Sequence, residues 1–113
     1  MVEIPSPDSA RRWRIRGGLV ERSTTGGSSW QLATIPTGAI VDGGTSPAPN
    51  VCWLIGPGGT VLRTTDGLTF EAVAIAGAGT LTSIRATDAT HAAVTAADGR
   101  IYSTSDAGRS WTR

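Results

Sequence analysis

The segment WLIGPGGTVLRTTDGLTF, residues 53–70, decides the fold: two apolar runs are each followed by a glycine-containing turn, and an aromatic residue closes the segment. Two copies of the same pattern flank it about forty residues away, WRIRGGLVERSTTGGSSW at 13–30 and AVTAADGRIYSTSDAGRSW at 93–111. One supersecondary unit is therefore repeated three times. A repeat of this length built from strands predicts the stacked blades of a β-propeller.

The composition agrees with an all-β chain, because 15 Gly and 6 Pro among 113 residues can punctuate many short strands. We predict about three four-stranded antiparallel blades, which is a partial ring. The chain holds enough apolar residues for a single domain over 1–113. Within it we place blade 1 at about 11–34, blade 2 at about 35–76 and blade 3 at about 77–113.

Each blade is expected to have four strands, and their ranges follow in order from the inner to the outer strand. In blade 3 we predict strands at 81–86, 92–96, 100–103 and 110–113, and in blade 2 at 39–42, 51–55, 60–64 and 69–75. The Pro- and Gly-rich segment 43–50 is expected to be an irregular loop. Blade 1 has only its three outer strands, unless residues 2–4 supply the inner one.

The turn lengths predict how the two middle strands of each blade pair. On one face the resulting pairs are Trp13 with Arg22, Trp53 with Arg63, and Ala93 with Ser103. Arg is present where Trp is present and is lost with it, which predicts a cation–π contact worth roughly 0.5–1 kcal/mol. We interpret this contact as structural, with ligand contact as the alternative.

The opposite face of the blades differs between copies. Its predicted pairs are Leu54 with Leu62, Val94 with Tyr102, and Arg14 with Glu21. The two apolar pairs suit burial between neighbouring blades. The charged pair predicts that one face of blade 1 is exposed at the end of the array or packed against a polar partner surface.

The turns before the outermost strands carry a recognisable motif. Residues 104–111 match Ser/Thr-x-Asp-x-Gly-x-x-Trp, the Asp-box, in which the carboxylate accepts backbone N–H bonds and Gly takes a positive φ. The second copy is one residue shorter, and the first has Thr25 in place of Asp, so we expect its turn to be the least well fixed. The residues predicted to be structural in this way are Asp66, Gly67, Phe70, Asp106, Gly108 and Trp111.

The phrases WLIGPGGTVLRTTDG and ADGRIYSTSDAGRSW resemble blades of the photosystem II assembly and stability factor family, within the wider group of Asp-box (BNR-like) repeats. The resemblance covers nearly the whole chain from Arg12 onward and implies a non-enzymatic, protein-binding propeller. Full members resemble closed rings of seven blades, whereas this chain has about three. Similar domains also occur in non-photosynthetic bacteria, including as exported C-terminal segments of membrane-anchored proteins of the anti-sigma-factor type, so we favour an extracytoplasmic segment of such a protein over a cytoplasmic one.

The sequence offers no catalytic set. Sialidases, which also use Asp-box propellers, need an Arg triad, a Tyr nucleophile and acidic partners, but the lone Tyr102 is placed on an apolar blade face. The single His91 lies in a turn without a second imidazole or thiolate, so we interpret it as a surface residue and not as a metal ligand. The lone Cys52 is expected to be a small buried side chain. We predict no enzyme activity, no cofactor and no metal site.

The net charge of +1 gives no basic excess for a nucleic-acid partner, and no apolar run suits a signal peptide or a membrane span. Two function classes remain, a protein-binding or assembly scaffold and a carbohydrate-binding module that would use Trp13 or Trp53. For the scaffold, the candidate site for an acidic peptide or protein is a set of arginines, with a solvated face as the alternative interpretation. They are Arg11, Arg12, Arg14, Arg16 and Arg22.

Three blades leave sheet faces and strand edges uncovered, which proteins normally hide by closure or association. We therefore predict that the chain associates with itself, with a dimer favoured. Two copies would make a six-bladed ring about a two-fold axis, and residues 2–4 would supply an inner strand at each junction.

Overall fold

In a computed structural model, which describes residues 2–113, the chain forms three small antiparallel sheets. The first sheet contains β1 (Val2–Pro5), β2 (Arg12–Arg16), β3 (Leu19–Ser23) and β4 (Gln31–Leu32). The second contains β5 (Gly43–Ala48), β6 (Val51–Ile55), β7 (Val61–Thr64) and β8 (Glu71–Ala72), and the third contains β9 (Leu81–Ala86), β10 (Ala92–Ala96) and β11 (Ile101–Thr104). Within each sheet the strands are ordered as in the sequence. The all-β fold of three antiparallel propeller blades is confirmed.

The inner strand of blade 1 is β1, which pairs with β2 so that Ile4 lies opposite Trp13. Residues 2–4 therefore complete the first sheet within their own chain. The inner strands lie next to one another, β1 beside β5 and β5 beside β9. This arrangement places the three inner strands along one side of the molecule, where a propeller has its central channel.

The inner strand of blade 2 is β5, so the predictions of a strand at 39–42 and a loop at 43–50 are wrong. Gly44 is needed because β5 is crowded: an added Cβ would lie 2.5 Å from the carbonyl oxygen of Trp53. Pro47 falls in the irregular stretch between Thr45 and Ala48, where the pairing shifts and a missing N–H is tolerated. The Gly and Pro that indicated a loop belong instead to a tightly packed, bulged strand.

The outermost strands are short. In blades 1 and 2 they are the two-residue strands β4 and β8. In blade 3 the strand predicted at 110–113 is reduced to a single bridge, Ser103 with Thr112. The third sheet therefore has three strands and one added bridge.

The pairing predicted for the middle strands is confirmed in all three blades. On one face the observed partners are Trp13 with Arg22, Trp53 with Arg63, and Ala93 with Ser103. On the other face they are Arg14 with Glu21, Leu54 with Leu62, and Val94 with Tyr102. The turn lengths alone were sufficient to predict this register.

Two hydrophobic clusters form the core, and each lies between adjacent blades. The cluster between blades 1 and 2 contains Ile4, Trp13, Ile15, Val20, Ala33, Val41, Cys52, Leu54, Leu62 and Phe70. The cluster between blades 2 and 3 contains Trp53, Ile55, Val61, Ile75, Ala78, Leu81, Ala92, Val94, Ala96 and Tyr102. Blades 1 and 2 thus turn their Trp face towards the next blade, and blades 2 and 3 turn the opposite face towards the preceding blade.

A polar contact that we call the latch joins blade 1 to blade 2. Trp13 is fully buried, and its indole Nε1 donates a hydrogen bond to the carbonyl oxygen of Gly67 at 2.9 Å. The guanidinium of Arg22 lies 5.4 Å from the Trp13 ring centroid and donates to the carbonyl oxygen of Pro49 at 3.1 Å and to the side chain of Asn50. The Trp–Arg pair of one blade therefore binds backbone carbonyls of the next blade.

The same latch joins blade 2 to blade 3. Trp53 Nε1 donates to the carbonyl oxygen of Asp88 at 3.2 Å, and Arg63 Nε donates to the carbonyl oxygen of Ala89 at 2.6 Å. The Arg63 guanidinium lies 5.6 Å from the Trp53 ring centroid. The cation–π contacts predicted from the paired occurrence of Trp and Arg are confirmed, and both lie at blade junctions.

Candidate functional site

The Asp-box turn of blade 3 is held by side-chain hydrogen bonds. Asp106 Oδ1 accepts the backbone N–H of Ser110 at 2.9 Å, and Asp106 Oδ2 accepts the Ser110 hydroxyl at 2.6 Å. Thr104 Oγ1 accepts the N–H of Gly108 at 3.0 Å, and Gly108 has a φ of 84°. The Ser110 hydroxyl, the Thr104 hydroxyl at 2.7 Å and the Ser110 N–H all donate to Asp106, and these bonds, in this order of size, lower the pKa of Asp106 from 3.8 to about 2.

The other two turns use the same positions with different chemistry. Asp66 Oδ1 accepts the N–H groups of Leu68 and Thr69 at 3.0 and 2.9 Å, and these bonds lower the pKa of Asp66. In the first turn the hydroxyl of Thr25 accepts the N–H of Ser29 at 2.9 Å. A neutral oxygen therefore makes one of the bonds that the carboxylates make in the other copies.

The shifted pKa of Asp106 predicts a dependence of stability on pH. Because the pKa is lower in the folded state, the carboxylate stabilises the fold above about pH 4 and loses this effect as the pH falls towards about 2. We expect Asp106→Asn to lower the melting temperature at neutral pH and to flatten its decline between these values. Circular dichroism melts over this range test the expectation. Asp42→Asn is the control, since no hydrogen bond to the Asp42 side chain is found among the described residues, and an equal flattening in it would contradict the assignment.

The five arginines singled out near the start of the chain do not converge on one site. Arg22 is buried in the latch. Arg11 pairs with Asp8 at 3.2 Å, Arg12 with Glu3 at 3.4 Å, and Arg14 with Glu21 at 2.8 Å. Arg16 lies at the exposed end of β2. Most of this positive charge is thus balanced by a neighbouring carboxylate within blade 1.

The glycan-binding alternative required an accessible tryptophan. Both Trp13 and Trp53 have 0% of their surface exposed, and both indole N–H groups are occupied by backbone carbonyls. Sugar rings stack on exposed aromatic faces, so neither residue is available to contact a glycan. The structure gives the carbohydrate hypothesis no support.

A groove between blades 2 and 3 gathers three other arginines. It has a volume of about 540 Å³ and is open to solvent, with residues 74–77 of blade 2 forming one wall. Tyr102 and Trp111 form its aromatic part, and Arg100, Arg109 and Arg113 surround them. We call this feature the arginine groove.

The aromatic part of the arginine groove is rigid. Trp111 Nε1 donates to the carbonyl oxygen of Val73 at 2.9 Å, and its ring meets that of Trp53 edge to face with the centroids 6.3 Å apart. Tyr102 is only 8% exposed. The groove therefore has a fixed apolar base with long cationic side chains around it.

The charge around the arginine groove is not balanced. Arg100 lies 3.6 Å from Asp98, but no carboxylate in the described part of the chain lies within ion-pair distance of Arg109 or Arg113. Arg109 also lines an adjoining pocket with Asp66 and Glu71, and neither carboxylate lies within ion-pair distance of it. The sequence signal for this groove is weak, because its arginines are separated along the chain and converge only when blade 3 packs on blade 2.

The remaining reactive side chains take no part in a site. Cys52 is fully buried, and burial raises the pKa of its thiol well above the ordinary value. His91 lies exposed in the β9–β10 turn, with Nδ1 2.9 Å from Asp88 Oδ1. Within residues 2–113 no group of three or more His, Cys, Asp or Glu side chains is placed to hold a metal ion. The same residues contain no helix with the length and apolarity needed to cross a membrane.

The fold is shared with two solved structures of YCF48, a photosystem II assembly factor with a β-propeller fold. "YCF48 bound to D1 peptide" has a TM-score of 0.81 and 22% sequence identity, and "YCF48 from Cyanidioschyzon merolae" has a TM-score of 0.82 and 20% identity. Each comparison covers 97% of this chain but only 38% of the YCF48 chain. The sequence matches no protein-family model and no curated protein. The resemblance inferred from the blade phrases is confirmed at the level of the fold.

Proposed function

We propose that the chain is a non-enzymatic scaffold that binds an acidic segment of a partner protein in the arginine groove. The observation that carries this proposal is a pair of arginines beside a rigid aromatic base, Arg109 and Arg113, for which residues 2–113 offer no carboxylate within ion-pair distance. An Asp or Glu side chain of a peptide would supply the missing anion through charge-assisted, bidentate hydrogen bonds. An apolar peptide side chain would pack against Trp111.

The fold neighbours support a peptide as the class of ligand. One of the YCF48 structures was solved with a D1 peptide bound, so a propeller of this shape can hold a peptide. The present chain spans 38% of that chain, so the ligand proposed for it is a peptide class and not a particular partner protein.

The side chains capable of chemistry support the non-enzymatic part of the proposal. The lone His91 is exposed in a turn and pairs with Asp88, and the lone Tyr102 is buried at a blade junction. The Thr90 hydroxyl and the Asp88 carboxylate both contact the same ring nitrogen, His91 Nδ1, at 2.8 and 2.9 Å, whereas a nucleophile–base–carboxylate relay uses the two ring nitrogens separately. We assign the Asp-box residues a structural role, because their side chains are occupied in turn hydrogen bonds or blade packing. They are Asp66, Gly67, Phe70, Asp106, Gly108 and Trp111.

Binding can be measured by fluorescence anisotropy with a labelled ten-residue peptide rich in Asp, Glu and Leu. We expect Arg109→Ala/Arg113→Ala to raise its Kd about tenfold, since each lost charged hydrogen bond at an exposed site contributes up to roughly 1 kcal/mol. The matched control is Arg16→Ala, which removes an exposed arginine of the first cluster and should leave the Kd unchanged. A peptide with Asn and Gln in place of the acids should bind more weakly.

The controls separate the two arginine sets. Equal affinity for the acidic and amide peptides would contradict the proposal, as would a larger loss in Arg16→Ala than in the double variant. Because all the substituted arginines are on the surface, circular dichroism spectra of the variants should match that of the parent protein.

A further inference from the structure

Adjacent blades in this chain meet through two rows of cross-strand neighbours. At the junction of blades 2 and 3, blade 2 contributes the row Thr45, Trp53, Arg63 and Glu71, and blade 3 contributes Ile84, Val94 and Tyr102. The earlier blade therefore supplies a bulky cation–π pair, and the later blade supplies smaller or apolar side chains. The first junction has the same form, with Trp13 and Arg22 facing Leu54 and Leu62.

The free face of blade 3 lacks the bulky pair. Its corresponding row is Arg85, Ala93, Ser103 and Thr112, and we call it the C-terminal end face. Ala93 and Ser103 stand where the other blades carry Trp and Arg. An open recess of about 430 Å³ lies over this row. The C-terminal end face thus has an open recess at the position that Trp and Arg side chains occupy at the internal junctions.

The free face of blade 1 carries extra bulk instead. Its row is Glu3, Arg14, Glu21 and Leu32, which we call the N-terminal end face. The Arg14 guanidinium stacks 4.0 Å from the ring centroid of Trp30, the aromatic residue of the first Asp-box copy. In the later copies this aromatic residue, Phe70 or Trp111, packs at the junction with the preceding blade. Trp30 therefore forms a cation–π pair with Arg14 on the side of blade 1 that faces away from blade 2.

The geometry points to a second copy of this chain as that neighbour, with the N-terminal end face of one copy packed on the C-terminal end face of the other. This contact differs from the internal junctions in which blade supplies the cation–π pair. Here blade 1 of one copy supplies the pair, and the recess that receives it lies on blade 3 of the other copy. Two contacts of this kind about a two-fold axis close a ring of six blades.

The two rows are complementary at their three inner positions, where Glu3 also contacts Arg12 of its own blade at 3.4 Å. On the inner strands Glu3 would oppose Arg85, which pairs opposite charges. On the next strands the long Arg14 would oppose the small Ala93, and Glu21 would face the hydroxyl of Ser103. The contact would also cover exposed apolar side chains on both end faces. Leu19, Leu32 and Ile101 are 54%, 61% and 58% exposed, and all three lie on these faces.

The proposed dimer contact does not involve the arginine groove, and the mass of the protein in solution tests for it. Sedimentation velocity at micromolar concentration should give a species of twice the 11.6 kDa chain mass. Arg85→Glu places a carboxylate opposite Glu3 and should raise the dimer Kd by at least about tenfold, since like charges across an interface are strongly unfavourable. Adding Glu3→Arg to this variant should restore the dimer. Arg100→Glu, which changes a surface arginine outside both end faces, is the matched control and should remain dimeric.

Each outcome decides the proposal. A monomer that does not shift with concentration would overturn it, and so would a series of species larger than two copies, which would indicate open chains. A dimer that Arg85→Glu leaves unchanged would place the contact elsewhere and overturn the assignment of the faces. Failure of the charge exchange to restore the dimer, in variants shown by circular dichroism to be folded, would do the same.

Discussion

Replacing Trp53 by alanine is expected to destabilise the fold by about 3–5 kcal/mol, a large part of the 5–15 kcal/mol available to a typical domain. Trp53 is fully buried in the cluster between blades 2 and 3 and lies edge to face with Trp111. Its removal leaves a cavity, and it also removes the Nε1 donor to Asp88 and the ring beneath Arg63. Urea unfolding followed by circular dichroism measures the loss.

Two further variants separate the causes of that loss. Trp53→Phe keeps an aromatic ring in the cluster but has no N–H, so its loss should be clearly smaller. Ile40→Ala removes a side chain that is 65% exposed and should change the free energy of unfolding by no more than about 0.5 kcal/mol. Equal stability of Trp53→Ala and Ile40→Ala would show that the blade junction does not hold the fold together.

The second large effect is expected at Gly59, in the turn between β6 and β7. Gly59 has a φ of 74°, and an added Cβ would overlap the carbonyl oxygen of Ile75. The Gly59 N–H donates to the carbonyl oxygen of Gly79 at 2.6 Å, and the Ile75 N–H donates to that of Gly59 at 2.9 Å, so the turn cannot move away freely. We expect Gly59→Ala to cost about 2–5 kcal/mol, combining the left-handed backbone with the steric overlap.

Gly58 is the matched control for this prediction. It has nearly the same φ, 71°, but an added Cβ would meet nothing within 4 Å. Gly58→Ala should therefore cost only the backbone contribution, about 1–2 kcal/mol. The difference between the two alanine variants in urea unfolding isolates the close approach of the 74–77 loop, and equal losses would refute it.

The register of the blades could be predicted from sequence because it depends on local quantities. Turn lengths determine which residues pair, and the paired occurrence of Trp and Arg identifies their contact. The inner strand β5 could not be predicted in the same way. Gly44 and Pro47 normally indicate a loop, and only the crowding against Trp53 makes glycine the residue required there.

The candidate site was harder to predict than the fold. Three of the arginines that lie close together in the sequence of blade 1 are paired with a carboxylate of the same blade, as Arg14 is with Glu21. The arginines of the groove come from a hairpin turn, an Asp-box turn and the end of the chain. Their convergence depends on the packing of one blade on another, which no local pattern encodes.

The latch also gives the array a direction that bears on how such repeats evolve. Its donors are the specific side chains Trp and Arg of one blade, whereas most of its acceptors are main-chain carbonyls of the next, as at Gly67, Pro49, Asp88 and Ala89. Every residue carries a carbonyl, so the acceptors of the latch depend mainly on the shape of the turns in the following blade, while its apolar face completes the junction. A blade duplicated within such an array carries both this apolar face and these turns with it, so the copies can diverge on their outer surfaces while the junctions persist.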